Sequence, residues 1–244
     1  MPLRLPSPVL PRFILPAVAA AALVACQPDA PDFTVNGQEA LDTCVAQACE
    51  TLMLDGLGLR DYSQINGLSH VTSLMVSYTD FSDLSAIADM AQLRELHMAS
   101  AQVRDLSGLA ALPNLELLHV QFNEPTSHAP IAGLSGLREL AVGGPDFNDL
   151  SFAANMHGLE RLLITSSAPD LDLSTLGANR GLRTVEMHGA DTLELAPLLA
   201  LPNLRQVSLS YNGQAFGPAQ TQAVLQLRAR GVIVDVEEIL PPVC

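Results

Sequence analysis

Lysine and tryptophan are both missing from these 244 residues, and aromatic residues make up only 4%. All 12 basic residues are therefore arginine, against 26 acids, for a formal net charge of −14. A surface this acidic repels phosphate, so nucleic-acid binding is not expected. The chain also lacks Gly-x-Ser-x-Gly, His-Glu-x-x-His and any phosphate-binding glycine loop. With those motifs go the usual nucleophile, zinc-hydrolase and nucleotide chemistries. No catalytic residue, metal or cofactor is expected, and the chain reads as a non-enzyme. Cysteine is scarce, at Cys26, Cys44, Cys49 and Cys244. Beyond the first 25 residues no apolar run reaches the roughly 18 residues that would suggest a membrane span.

The beginning has its own character. Residues 1–25 carry Arg4 and Arg12, no acid, and an apolar run from Phe13 to Ala25. An apolar stretch of about 13 residues is too short for a bilayer core of about 30 Å and reads as a secretion signal. It ends Leu23-Val24-Ala25-Cys26, which resembles the lipobox of bacterial lipoproteins. That resemblance implies cleavage before Cys26 and lipidation of its thiol and new amino terminus. Two or three acyl chains hold a membrane far better than one, at about 0.8 kcal/mol per buried CH₂. Residue 27 is Gln rather than Asp, which by the same resemblance implies sorting to the outer membrane of a bacterial envelope. Residues 26–37, with Pro28, Pro31 and Gly37, read as the lipidated cysteine and a flexible stalk. Without residues 1–25, 10 Arg face 26 acids, a net charge near −16. Membrane contact is then expected through the lipid alone, and basic proteins or divalent cations are the favoured companions.

From Cys49 onward one signature recurs, apolar-x-x-apolar-x-apolar. Its fourth position falls at Leu52, Leu74, Leu96, Leu118, Leu140, Leu162, Val185 and Val207, with gaps of 22 residues and a single 23. A register this strict marks a stack of equal supersecondary units. In residues 93–114, Leu93, Leu96 and Met98 lie on one side of a short strand and Glu95 and His97 on the other. Val103, Leu106, Leu109 and Leu112 then recur at spacing three, which suits a 3₁₀ turn. Pro113-Asn114 and Pro202-Asn203 turn the chain into the next strand.

This pattern resembles the leucine-rich repeat family in its 22-residue, internalin-like form. The resemblance implies an α/β solenoid: a horseshoe with a parallel β-sheet on its concave face and 3₁₀ turns or short helices on its convex face. The repeats are placed at residues 49–217. The family favours Asn at the ninth position, but that column here reads Leu57, Thr79, Ala101, Asn123, Pro145, Ser167, Ala190 and Asn212. Less regular bends are expected, above all around Pro145. An N-terminal helical cap is placed at 38–48, and a capping helix and strand at 218–244. The helix there starts at Pro218 and ends before Gly231. The oxidising compartment beyond the inner membrane favours a disulfide between Cys44 and Cys49, stapling the cap. A metal role for that pair is disfavoured because no His lies close to it in the chain. Cys244 is left as a free thiol or an intermolecular bridge.

An acidic column, Asp61, Asp83, Asp105, Asp149, Asp172 and Glu194, is expected to cap turns rather than to hold Ca²⁺. The open side of the strands is the better binding surface. There Met75, Tyr78, His97, His119 and Phe122 come together across neighbouring strands, flanked by Glu95 and Glu139. Exposed aromatics and Met on a rigid sheet are hot-spot material for a protein partner. His97 and His119 could hold Zn²⁺ with a carboxylate, but two side chains projecting in parallel from a flat face converge poorly. Protonating both would set two charges close together, moderated by Glu95. His70, His128, His157 and His188 are dispersed, with solvent exposure as the default. The function expected is a membrane-anchored lipoprotein that binds a protein partner through its concave face. The alternative is a structural envelope protein or adaptor without a single ligand.

Overall fold

Every fourth-position side chain of the repeat ends in the interior. The computed structural model describes residues 37–169, 171–189, 193–211 and 216–238. Nine parallel strands form one sheet in chain order: β1 (Thr51–Met53), β2 (Ser73–Met75), β3 (Glu95–His97), β4 (Leu117–His119), β5 (Glu139–Val142), β6 (Arg161–Thr165), β7 (Thr184–His188), β8 (Gln206–Tyr211) and β9 (Ile233–Glu238). Leu52 pairs with Leu74, Leu74 with Leu96, and the column continues through Leu118, Leu140, Leu162, Val185 and Val207 to Val234. All of these are buried. The fold is a leucine-rich repeat solenoid, and its final strand runs from Ile233 to Glu238.

Short 3₁₀ turns connect successive strands from Tyr62–Ile65 to Ala196–Ala200. Val103, Leu106, Leu109 and Leu112 are all buried, and the turn between them is Ser107–Ala111. Spacing three suits this geometry because side chains three apart eclipse along a 3₁₀ axis. No unit could bury these residues alone, so the core is continuous from Leu41 to Val234.

A second ladder is polar. At the position just before each strand, His70 Nδ1 lies 2.7 Å from the Cys49 carbonyl. Gln92 donates to the Val71 carbonyl at 2.9 Å, Asn114 to that of Ala91 at 2.8 Å and Asn203 to that of Arg180 at 2.8 Å. Each side chain thus ties its repeat to the one before. Gly136, Gly158 and Gly181 occupy the same column in between. At Gly181 a Cβ would fall 2.4 Å from the His157 carbonyl oxygen, so no side chain fits there.

Helix α1 (Gly37–Gln47) lies against β1, burying Leu41 and Cys44, and takes in Gly37, which the sequence reading assigned to the stalk. A disulfide joins Cys44 to Cys49, with Cα atoms 4.9 Å apart. Helix α2 (Pro218–Ala229) packs on β9 and the Ala196–Ala200 turn, and Gly231 follows it with φ +82°. Pro145 follows Gly143 and Gly144, whose φ values are +139° and +156°, and β5 stops at Val142. The signal segment, Cys26, the remainder of the stalk, Ala190, Asn212 and Cys244 lie outside the described residues.

Candidate functional site

Strand residues on either side of the buried leucine column face outward, because successive side chains alternate. One outward column therefore reads Met53, Met75, His97, His119 and Ala141, in register on β1 to β5. The other begins Thr51, Ser73, Glu95, Leu117, Glu139 and Arg161 on β1 to β6. The structure thus brings Met75, His97 and His119 side by side, with Glu95 and Glu139 two residues before the two histidine-level positions of β3 and β5. Met53 continues the same column and is 63% exposed, although sequence reasoning left it out of the site.

Tyr78 and Phe122, three residues past this column, are 57% and 42% exposed. Their position has a backbone reason. Gly56, Tyr78, Ser100, Phe122, Ser166 and Gly189 all have φ between +51° and +75°. These six repeats leave the strand through the left-handed region, which glycine enters freely and a bulky side chain does not. Holding Tyr and Phe there costs about 1–2 kcal/mol each. The aromatic rings stand at the strand exits, one repeat with Ser100 between them, so at the sheet spacing of about 4.8 Å they lie roughly 10 Å apart.

The two imidazoles do not project in parallel. His97 Nδ1 and His119 Nδ1 face each other at 3.1 Å, and the rings meet edge to face with centroids 4.6 Å apart. His119 Nε2 lies 3.3 Å from Glu139 Oε1. Glu139 is the carboxylate in direct contact with the pair, and Glu95, which accepts from the Ser73 hydroxyl at 2.8 Å, moderates His97 through its charge as expected. The chain of contacts runs on: Arg161 is 3.6 Å from Glu139 Oε2 and 2.7 Å from Glu186 Oε1. Arg161 and Glu186 belong to this network and were not foreseen, since they become neighbours of the histidines only through sheet register. Burial, and then the neighbouring His119, hold the His97 pKa below the usual histidine value, while Asp55, Glu95 and Glu139 oppose the shift.

Two other histidines depart from the expected exposure. His70 is half-buried against the Cys49 carbonyl. Its ring nitrogen and the sulfurs of Cys44 and Cys49 all lie within 4.8 Å of one another, so folding supplies the His that is distant in sequence. The disulfide occupies both sulfurs, which leaves no thiolate to ligate. His128 stacks on Phe152 and meets Phe147 edge to face, at centroid distances of 5.8 and 5.0 Å. Burial lowers its pKa too.

The acidic column caps turns. Asp61, Asp83, Asp105, Asp149 and Asp172 each accept the backbone N–H two residues on, at 2.7–2.9 Å, and Glu194 does so at 3.2 Å. The repeat between Asp105 and Asp149 uses Ser127, whose hydroxyl accepts from the Ala129 N–H at 3.1 Å. Bonds from Ser63 and its counterparts Ser85, Ser107, Ser151 and Ser174 hold the five Asp pKa values below the usual carboxylate range. Among the described residues this column is thus spent on backbone donors and does not gather into an oxygen cage.

The fold is similar to that of an internalin from Listeria monocytogenes, with a TM-score of 0.61 and 19% identity over 86% of this chain and 58% of that one. Internalin C2 from the same organism matches with a TM-score of 0.54 and 30% identity, over 66% of this chain and 76% of its own. A leucine-rich repeat protein of Leptospira interrogans matches with a TM-score of 0.59 and 19% identity, over 76% of this chain and 48% of that one. The chain thus spans less than two-thirds of the first and third of these proteins. No family model and no curated protein sequence matches it.

Proposed function

We propose that this chain, which belongs to the leucine-rich repeat family, is a lipid-tethered binding module that grips a protein partner with the open, concave-side face of its sheet. The observation that carries this reading is the placement of Tyr78 and Phe122. Both are large, exposed and held in a backbone region that disfavours them. Strain of this kind persists where surroundings over-determine it and clusters at binding sites. Beside them, Met53, Met75, His97 and His119 offer a contact surface fixed by strands rather than by mobile loops. The net charge of −14 favours a basic partner.

The tether rests on the sequence: the signal segment, Cys26 and Gln27 support a lipoprotein of the bacterial envelope, sorted to the outer membrane. No helix among the described residues is long and apolar enough to cross a membrane, so in this reading the acyl chains do the anchoring. Crosslinking the lipidated full chain in the membranes of cells that make it, beside the variant His119→Ala/Phe122→Ala, tests both claims. A partner captured at stoichiometric yield by the parent and lost by the variant is expected. Equal capture by both would remove this face from the reading. Recovery of an unlipidated chain would remove the tether.

A further inference from the structure

We infer that His97 and His119 form a binding site for a late first-row divalent cation such as Zn²⁺, held between the two facing Nδ1 atoms and oriented through Glu139. The argument begins with distance. Two imidazole nitrogens at 2.0–2.1 Å from one tetrahedral zinc lie about 3.3 Å apart. The two Nδ1 atoms are already 3.1 Å apart. Admitting the ion therefore takes an opening of a few tenths of an ångström between rings that stand on adjacent strands of a rigid sheet. Sequence register fixes this placement, since His97 and His119 are direct partners in the β3–β4 pairing.

The surroundings fit the same reading. A histidine ligand commonly donates its other ring N–H to a carboxylate, which fixes the tautomer and raises basicity. His119 Nε2 meets Glu139 Oε1 at 3.3 Å, and Glu139 is in turn held by Arg161 at 3.6 Å. With Nε2–H donated to Glu139, His119 Nδ1 keeps a lone pair, and the proton between the two Nδ1 atoms belongs to His97. Binding moves that proton to His97 Nε2, the other neutral tautomer, so both lone pairs reach the ion and no net proton is released. Water completes the coordination. The carboxylates of Asp55, Glu95 and Glu139 all lie close enough to act on His97 electrostatically, and each favours a cation there. Imidazole ligands suit Zn²⁺, Ni²⁺ and Cu²⁺ rather than Ca²⁺ or Mg²⁺.

This inference stands apart from the protein-binding reading and needs no partner. It is tested on the purified full chain carrying no histidine tag, by titration calorimetry with zinc chloride near neutral pH. The expected result is about one equivalent bound, with binding lost in His97→Ala and His119→Ala and unchanged in His188→Ala. Glu139→Gln should weaken affinity about 10–100-fold, the usual cost of losing an outer carboxylate. Circular dichroism confirms that each variant is folded, and His119→Gln repeats the test at nearly constant side-chain size. No binding at millimolar zinc, or equal binding by the parent and both alanine variants, overturns the site. So does binding that survives in those variants and is lost in His70→Ala, because the ion would then sit at the cap. A negative result here leaves the crosslinking experiment untouched, and the reverse also holds.

Discussion

The first four repeats and the later ones are built from one pattern and finished differently. Strands β1 to β4 have three residues each, whereas β5 to β9 lengthen from four to six. The early repeats are tied edge to edge by His70, Gln92 and Asn114, and the later ones place Gly136, Gly158 and Gly181 in that column before Asn203 resumes it. Charge follows the same division: residues 37–136 hold 12 acids and 3 Arg, and residues 137–238 hold 12 acids and 7 Arg. The later repeats use that arginine in cross-strand pairs, Arg138–Glu160 at 2.9 Å and Arg161–Glu186 at 2.7 Å. The early half has its own pairs, Arg94–Glu116 at 3.1 Å and Arg104–Glu124 at 3.6 Å, but its strand face carries Met, His and aromatic side chains where the later one carries Arg161 and Glu186. A repeat protein can thus hold its core constant while the two halves of its open face differ in side chains, apolar and imidazole on one and charge-paired on the other.

The largest effect is expected where the two halves meet. A Cβ on Gly143 would fall 2.1 Å from the Thr165 carbonyl oxygen and 2.8 Å from that of Ser166, with φ at +139°. Backbone cannot yield there as a flexible side chain would, so Gly143→Ala should cost about 3 kcal/mol or more in urea unfolding. Gly56 has φ +68° and open space around its Cβ position. Gly56→Ala in the early half should cost only about 1 kcal/mol. Equal costs would mean that the seam at Gly143 is no tighter than an ordinary strand exit.

Next comes Asn123, the last early repeat's inner bend. Its amide donates to the carbonyls of Met98 at 2.7 Å and Val120 at 3.0 Å and accepts from the Val103 N–H at 3.1 Å. Asn123→Ala would leave buried donors and acceptors unpaired, at a cost of about 2–3 kcal/mol. Thr79, one of the other residues in that column, takes up a smaller set, donating to the Val76 carbonyl and accepting from the Phe81 N–H. Thr79→Ala should cost nearer 1 kcal/mol in the same assay. Ala101 lies between them with no side-chain bond to offer, and the Asn123 amide reaches past it to Met98.

The stack was legible in the sequence because its signal is periodic and apolar, and burial of Leu52 through Val207 enforces it. The capping column was legible for the same reason, except at Ser127, where a change of residue type hid an unchanged bond. The site was legible only as a set of neighbours. Column arithmetic puts His97 beside His119, but it carries no information about ring rotation, and the 3.1 Å approach of the Nδ1 atoms depends on χ angles. Nor does spacing disclose that Glu139 would take His119 while Ser73 claimed Glu95. His70 illustrates the same gap, since its closeness to Cys44 and Cys49 is a product of one repeat stacking on the cap.

A smaller effect separates stability from binding. Phe122→Gly places in the left-handed position the residue that Gly56 and Gly189 already provide. Relief of strain and loss of apolar contact act in opposite directions, so unfolding free energy should change by no more than about 1 kcal/mol. Partner capture should nevertheless fall. A variant that unfolds readily would show that the ring serves the fold, which would weaken the contrast between a contact half and a charge-paired half.

The smallest effect tests the early face against the seam between the halves through pH. Two histidines have a pKa lowered mainly by burial, His97 on the early face and His128 at the end of the early half, where it packs on Phe147 and Phe152 of the later half. A lowered pKa means that the folded chain takes up these protons less readily than the unfolded one. Stability is therefore complete above the unfolded histidine value of about 6.5 and declines as pH falls through it toward the lowered folded values. The capping residues Asp61, Asp83, Asp105, Asp149 and Asp172 also have lowered pKa values, but with the opposite charge on ionisation. Their contribution is complete above about pH 3.9 and is lost as pH falls through the folded values. Denaturant midpoints should then show two separate descents, one beginning near pH 6.5 and one below pH 4. His97→Gln should remove part of the first descent and His128→Gln the remainder, with the second intact in both. A first descent abolished by His97→Gln alone would place the whole neutral-pH sensitivity on the early face and leave none at the seam where His128 meets the later half.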